Sequence, residues 1–240
     1  MKFKSALAIG VLSALAAAHS QGAVIARQDF EASPASPALS YTTTVGTSEI
    51  NTGDVPGAGT RPVGATWGVG GSSGISFATD SGQITFAPIN TIDLSDISVS
   101  LNLAALALTS GNGLDGPDSF IVSVSPDNGV TFYDQIRVTG AANATWSFSG
   151  ASGDAGRAYS TSAVTSFVPS GGGGEKITDG YTNLSITGLP SVENLVIRFT
   201  SSQSTGEKWL VDNVVVQTVP EPSAAALGLL GSLMLLRRRR

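Results

Sequence analysis

The chain has 240 residues, no cysteine, one histidine (His19) and a formal net charge of −5 at pH 7. The lack of cysteine excludes a disulfide framework and a cysteine nucleophile. Because the single histidine, His19, lies in or beside the predicted signal peptide, a Ser-His-Asp triad and a histidine zinc site are also excluded. Residues 24–218 alone hold seven basic and seventeen acidic residues, a net charge near −10. Because nucleic-acid binding depends on clustered Lys and Arg, a nucleic-acid partner is not expected.

Residues 1–23 have the three parts of a secretory signal peptide. Lys2 and Lys4 precede an apolar stretch from Ala6 to Ala18, and small residues follow it. Cleavage is expected between residues 18 and 23, and Ala18-His19-Ser20 fits the small-x-small rule best. The alternative is a retained N-terminal transmembrane helix, but the run is short and no stop-transfer flank follows. We therefore predict export by way of signal peptidase.

Residues 24–218 show short apolar runs separated by Gly, Pro, Asp and Asn, which is typical of an all-β domain. The clearest strand is 96–108, where apolar and polar residues alternate from Ile97 to Leu103. The alternation is lost after Ala104, as in a bulge or a fully covered stretch. Ten to twelve strands are expected, over residues 24–31, 41–50, 74–79, 83–87, 96–108, 120–124, 130–138, 146–148, 183–187, 194–200 and 208–217.

The best hairpin in the sequence covers residues 120–138. The connection Pro126-Asp127-Asn128-Gly129 combines a proline preset for a turn with residues that tolerate positive φ. Apolar side chains are expected on one face of both arms, at Phe120, Val122 and Val124 in the first and Val130, Phe132, Ile136 and Val138 in the second. No strand is predicted in the following soft region, 150–174. The four glycines that end it, 171–174, are predicted to be a flexible loop, because no Lys-Ser/Thr of a phosphate loop follows them. The expected architecture is an antiparallel β-sandwich.

Three acidic residues are candidate calcium ligands. Asp29 and Glu31 end the first predicted strand, and Asp212 lies in the last one. If these strands meet at one edge of the sandwich, carboxylates and backbone carbonyls there could bind a structural Ca²⁺. The equally supported alternative is that Asp212 and Asn213 only hydrogen-bond a β-bulge.

Two stretches carry a resemblance to a known fold. Residues 115–132, Asp-Gly-Pro-Asp-Ser-Phe-Ile-Val-Ser-Val-Ser-Pro-Asp-Asn-Gly-Val-Thr-Phe, and residues 208–216, Lys-Trp-Leu-Val-Asp-Asn-Val-Val-Val, resemble the middle hairpin and closing strand of secreted bacterial jelly-roll domains. Such domains are similar to carbohydrate-binding modules and laminin-G-like lectins, and many bind structural calcium. The resemblance implies a jelly-roll β-sandwich. The chain shows no conspicuous row of exposed aromatic residues of the kind that forms a sugar platform.

The C-terminal residues 219–240 have three ordered parts. They are the motif Val219, Pro220, Glu221, Pro222, Ser223, then an apolar segment from Ala224 to Leu236, then Arg237, Arg238, Arg239 and Arg240. Arginine flanks favour the cytoplasmic side of a membrane. As a helix, thirteen residues span about 20 Å, against about 30 Å of hydrocarbon. The length therefore suits a transient membrane stop better than a lasting anchor.

This order of parts resembles the PEP-CTERM sorting signal of Gram-negative bacteria. The resemblance implies export, temporary retention in the inner membrane by an apolar C-terminal helix, and processing by an exosortase-type enzyme, usually in bacteria that make extracellular polysaccharide. The alternative is an ordinary tail anchor with a proline linker.

The sequence thus favours an exported, non-catalytic protein of the cell surface or extracellular matrix, associated with extracellular polysaccharide. Its partners would be signal peptidase, an exosortase-type enzyme, the inner membrane transiently, and polysaccharide. The alternative is a carbohydrate-active protein, either a lectin or a glycosidase that uses two carboxyl groups.

Overall fold

The structure is a computed structural model, and it describes residues 22–31, 33–45, 48–52, 73–77, 81–107, 113–148, 153–169, 180–204 and 206–218. Nearly all of the predicted signal peptide and all of the predicted sorting signal lie outside these ranges. Val24–Thr218 form one compact unit. Its described strands are β1 (Val24–Gln28), β2 (Tyr41–Val45), β3 (Ser48–Thr52), β4 (Ser73–Phe77), β5 (Ser81–Phe86), β6 (Ile97–Ala107), β7 (Ser119–Ser125), β8 (Tyr133–Thr139), β9 (Gly153–Ala158), β10 (Thr165–Phe167), β11 (Tyr181–Leu189), β12 (Val196–Ser202) and β13 (Glu207–Thr218).

The strands form two sheets, as predicted for a β-sandwich. One sheet has the order β3-β4-β13-β6-β11-β9, with β1 also paired to β13, and the other has the order β10-β8-β7-β12-β5-β2. Eight strands, β4 to β8 and β11 to β13, have jelly-roll pairing. In chain order the first of these pairs with the eighth and the third with the sixth, while the second pairs with the seventh and the fourth with the fifth. The predicted fold class is confirmed.

Two strand pairs depart from the antiparallel expectation. β10 runs parallel to β8, and β9 runs parallel to β11. Both β9 and β10 lie within 150–174, where the sequence predicted no strand, so the predicted strand list misses these two segments. Their short polar sequences carry no apolar alternation, and backbone pairing at the sheet edges is what makes them strands. Arg157 of β9 donates hydrogen bonds to the carbonyls of Gln135 on β8 and of Ala163, just before β10, at 2.8 and 2.7 Å. These bonds link the edge strand β9 to the edge of the other sheet.

Aromatic side chains form the centre of the core between the sheets. Seven rings follow one another in contact, with neighbouring centroids 5.0 to 6.2 Å apart, in the order Phe30, Tyr41, Phe86, Phe199, Phe120, Trp209 and Trp146. Edge and tilted ring contacts of this kind stabilise by about 0.5 to 1.5 kcal/mol each beyond the area they bury. The indole N–H of Trp146 donates to the Leu103 carbonyl at 2.9 Å, so its polar atom is satisfied.

The long strand β6 confirms the alternation read from the sequence. Ile97, Val99, Leu101 and Leu103 are all buried in the core. From Ala104 onwards both faces are buried, which confirms the fully covered stretch rather than a bulge.

Several predicted boundaries are wrong. The first strand ends at Gln28 instead of residue 31, because Phe30 adopts φ 54° and its N–H bonds the Gln28 side chain at 2.6 Å. The predicted strand 41–50 is divided between β2 (Tyr41–Val45) and β3 (Ser48–Thr52), which lie in different sheets. Residues 146–148 form only an isolated bridge, in which Trp146 pairs with Ala105 of β6.

The hairpin between β7 and β8 is confirmed, but its second arm begins later than predicted. β8 begins at Tyr133, so Val130 and Phe132 belong to the connection. Val130 is 83% exposed, whereas Ile136 and Val138 are buried as expected. The turn needs positive φ at two successive residues, and Asn128 (61°) and Gly129 (81°) supply it.

Candidate functional site

The predicted metal ligands are engaged in local hydrogen bonds. The two carboxylate oxygens of Asp29 accept from the backbone N–H groups of Glu31 at 3.4 Å and Ala35 at 3.1 Å. Asp212 is fully buried and accepts from the backbone N–H and the side-chain amide of Asn213, at 2.7 and 3.1 Å. The register of β13 against β6 shifts at this point, and Asn213 has φ 51°. Asp212 and Asn213 therefore hydrogen-bond each other at a β-bulge.

The first and last strands do pair, with Gln28 opposite Val214, as the calcium hypothesis required. Within the described ranges, however, no three His, Cys, Asp or Glu side chains are grouped so that they could hold a metal ion. The structure therefore does not bring Asp29, Glu31 and Asp212 together as a three-carboxylate site. Calcium binding at this edge stays a prediction, which would have to use fewer carboxylates together with backbone carbonyls.

The predicted sorting motif, Val219 to Ser223, and the arginines 237–240 lie outside the described residues. In the part of the chain that is described, no helix is long and apolar enough to cross a membrane.

A cleft of about 390 Å³ lies on the outer side of the six-stranded sheet. Its residues come from β5 and the segment just after it, from β12 and from the β7–β8 connection. They are Gln83, Thr85, Phe86, Pro88, Asn128, Gly129, Phe132, Val196 and Arg198. On β12 the core-facing residues Ile197 and Phe199 alternate with Arg198, which therefore lies on the outer face. The pairing of Arg198 with Thr85 brings β5 and β12 side by side beneath the cleft.

Arg198 and Phe132 are stacked in this cleft. The guanidinium carbon of Arg198 lies 3.6 Å from the centre of the Phe132 ring. Its Nε is buried without a hydrogen-bond partner. Burial lowers the pKa of Arg198, and the negative charge of Asp134 partly opposes this shift. A cation held over an aromatic face keeps its N–H groups directed outward in the guanidinium plane, where a ligand oxygen can accept them.

The connection that carries Phe132 is held by its own hydrogen bonds. Asp127 accepts from the Ser125 hydroxyl at 2.6 Å and from the Thr131 N–H at 2.8 Å. These two bonds, the Ser125 bond first, lower the pKa of Asp127. The Asn128 N–H donates to the Asn194 carbonyl at 3.1 Å, which ties the connection to the chain just before β12. The cleft wall is thus fixed on the sheet.

A second hollow, of about 320 Å³, lies beside the first, and Phe132 lines both. Its other lining residues are Tyr133, Asp134 and the segment 161–164. Asp134 accepts from the Ser123 hydroxyl at 2.7 Å and lies 3.9 Å from Arg137.

A pair of buried carboxyl groups joins the two sheets at another place. Asp118, just before β7, is 2% exposed, and Glu207, the first residue of β13, is 4% exposed. Burial, followed by the hydrogen bond and the charge of Asp118, raises the pKa of Glu207 to about 8. A hydrogen bond between the carboxyl groups of Glu207 and Asp118 requires one proton, which the two groups share. The backbone N–H of Ser204 donates to Glu207 at 3.2 Å, and that of Asp115 donates to Asp118 at 2.8 Å.

Sequence reasoning missed both the cleft and the carboxyl pair. One signal for the cleft was present: Arg198 is the one charged residue in the run Leu195 to Thr200, on a strand whose neighbours are apolar. Among the described residues, the large apolar side chains that are fully exposed are four valines and one isoleucine.

No protein-family model and no curated protein matches the chain. Among solved structures, a carbohydrate-binding module in complex with beta-1,4-galactotriose is similar at 11% identity and a TM-score of 0.39, over 78% of this chain and 90% of that one. The K3 cleaved adhesin domain of Lys-gingipain from Porphyromonas gingivalis w83 is similar at 12% identity and a TM-score of 0.39, over 82% and 99%. An exo-beta-agarase is similar at 13% identity and a TM-score of 0.37, over 85% of this chain and 25% of that one. These similarities concern the fold alone.

Proposed function

We propose that this chain is an exported, non-catalytic surface protein that binds polysaccharide on the outer face of its six-stranded sheet. The observation that carries the proposal is the cleft in which Arg198 stacks on Phe132 among hydroxyl and amide side chains. The site is open, and its aromatic ring and few placed polar groups are elements that small-ligand sites use to orient a ligand. Sugar hydroxyls both donate and accept hydrogen bonds, so they match the amides of Gln83 and Asn128 and the hydroxyl of Thr85.

The described residues that line the cleft include no Asp or Glu, which supports binding rather than glycoside hydrolysis there. The buried pair does not fit hydrolysis either. Two carboxyl groups that share a hydrogen bond are closer than the roughly 5 to 9.5 Å that glycosidases use, and Asp118 and Glu207 are buried away from a substrate.

Binding is tested with the full chain, kept soluble in mild detergent, in gels that contain one polysaccharide each. The set should include a galactan, agarose, dextran and polygalacturonate. We expect at least one polymer to retard the wild-type protein, and Phe132→Ala to abolish the retardation. Val130→Ala is the matched control, since Val130 lies in the same connection but points into solvent. Migration unaffected by every polymer would contradict polysaccharide binding and leave a surface protein that acts in another way.

We also propose that the C-terminal residues act as a PEP-CTERM sorting signal. Support comes from the order of the Pro-Glu-Pro motif, the apolar segment and the arginine cluster in the sequence. Proline on either side of Glu221 disfavours a helix and presents an extended segment to a processing enzyme. Replacing Pro220 and Pro222 by Ala should leave the melting temperature of residues 24–218 unchanged and trap the protein in the inner membrane. Normal surface delivery of that variant would contradict the role of the motif.

A further inference from the structure

The described residues that line the cleft carry a positive charge and no negative charge. Arg198 is the one formally charged residue among the described residues that line it, and the rest are amides, a hydroxyl and apolar or glycine residues. This contrasts with the acidic excess of residues 24–218 as a whole. The cleft therefore presents a local positive charge on an acidic domain.

No described residue neutralises Arg198 within hydrogen-bonding distance. Among the described residues it forms no salt bridge, and its Nε is buried without a hydrogen-bond acceptor. The nearby carboxylate of Asp134 is occupied by the Ser123 hydroxyl at 2.7 Å and lies 3.9 Å from Arg137. The buried Nε is out of reach of a ligand, so the donors that Arg198 offers in the cleft are its terminal Nη groups.

The stacking on Phe132 decides which acceptor fits. With one face of the guanidinium held 3.6 Å from the ring centre, its N–H groups lie in a defined plane. A planar carboxylate can accept two of these N–H groups in parallel, which makes charge-assisted hydrogen bonds stronger than those of a sugar hydroxyl. The lowered pKa of Arg198, caused first by burial, agrees with a cation that has lost part of its hydration.

We propose that the cleft selects polysaccharides with carboxylate-bearing sugar units, and that Arg198 is the residue that binds the carboxylate. This inference rests on the proposed polysaccharide binding and names its ligand class. The net charge near −10 of residues 24–218 opposes an anionic polymer at long range. At about 0.15 M salt, however, charges beyond roughly 8 Å are largely screened, so the contacts inside the cleft decide.

The test compares polygalacturonate with its fully methyl-esterified form, in which each carboxylate is a neutral methyl ester, by calorimetric titration of the full chain in mild detergent at 0.15 M NaCl. We expect the wild-type protein to bind polygalacturonate at least about tenfold more tightly than the ester, since one bidentate charged contact is worth roughly that much. Arg198→Gln should make the two affinities equal. Arg137→Gln is the control, because it removes the same charge from the same sheet outside the cleft.

The possible results distinguish failure of carboxylate selection from failure of polysaccharide binding as a whole. Equal wild-type affinity for the two polymers overturns carboxylate selection and leaves polysaccharide binding intact. Binding to neither of them, nor to any polymer in the gels, overturns the proposed function itself. If Arg198→Gln weakens binding to both polymers by the same factor while its melting temperature is unchanged, Arg198 only positions Phe132, and the assignment is wrong. Equal loss of preference in Arg137→Gln would show that general charge, not the cleft, carries the selectivity.

Discussion

The substitution Glu207→Gln should remove most of the pH dependence of stability between pH 5 and pH 8. In the folded protein Glu207 keeps its proton up to a pKa of about 8, whereas a free glutamate has 4.5. The folded state therefore binds more protons than the unfolded state in this window, and the free energy of unfolding falls as the pH rises. The contribution is fully present below about pH 4.5 and is lost as the pH rises through about 8.

The size of the effect follows from the proton count. One extra bound proton changes the free energy of unfolding by at most about 1.4 kcal/mol per pH unit, or about 4 kcal/mol over three units. For a domain of this size each kcal/mol moves the melting temperature by about 2 to 4 °C, so a decrease on the order of 10 °C is expected in the wild-type protein. The amide that replaces the carboxyl group is neutral at every pH and can still donate a hydrogen bond to Asp118, so the variant loses this slope.

The assay is thermal unfolding of the wild-type protein and of Glu207→Gln at half-unit steps from pH 5 to pH 8. The matched control is Glu193→Gln, the same chemical change at an exposed residue, which should retain the wild-type slope. Because burial is the largest cause of the shift in the Glu207 pKa, Asp118→Asn should reduce the slope only in part. Identical pH profiles for the wild-type protein and Glu207→Gln would refute the shared proton.

Three further predictions concern the rest of the molecule. The calcium hypothesis predicts that millimolar Ca²⁺ stabilises the fold, by about 2.7 kcal/mol at a hundredfold excess over Kd. Asp212→Ala should abolish this stabilisation and Asp127→Ala should not. Equal melting temperatures with and without calcium would contradict the site. The sorting hypothesis predicts that mass spectrometry of the surface protein finds residues 237–240 removed, and an intact C-terminus there would argue against processing. Gly180→Ala should destabilise by about 1 to 3 kcal/mol in chemical denaturation, because its Cβ would overlap the Trp146 ring; a variant as stable as the wild-type protein would show that the ring can shift.

The parts of the fold that the sequence predicted are those governed by local patterns. Alternation along β6 and in the first arm of the β7–β8 hairpin identified the core face, because successive side chains of a strand point to opposite sides. Turn residues with a tolerance for positive φ likewise identified the connection at Asn128 and Gly129. In these segments the residues that determine the strand or the turn lie close together in the sequence.

The parts that were missed depend on partners far away in the chain. β9 and β10 are strands because sheet edges were available to them, and their own residues carry little signal. Val130 fits the apolar pattern of a strand, but Asp127 accepts a hydrogen bond from the Thr131 N–H, and the connection therefore extends to Phe132. The stacking of Arg198 on Phe132 depends on how β12 lies beside β7, which no local window reveals.

The carboxyl pair and the cleft lie at opposite ends of β12, and this separates their effects. The strand has seven residues and is about 20 Å long, from Val196 at the cleft to Ser202 at the other end. The Ser202 carbonyl accepts a hydrogen bond from Trp209, which lies two residues after Glu207 of the carboxyl pair. Sites more than about 10 Å apart without shared partners are usually independent in energy. Glu207→Gln should therefore leave polysaccharide affinity unchanged at pH 5, and Arg198→Gln should keep the full pH slope of the melting temperature. Each variant is then the folding control for the other, and a change of slope in Arg198→Gln would show that the two ends are coupled through the aromatic core that joins them.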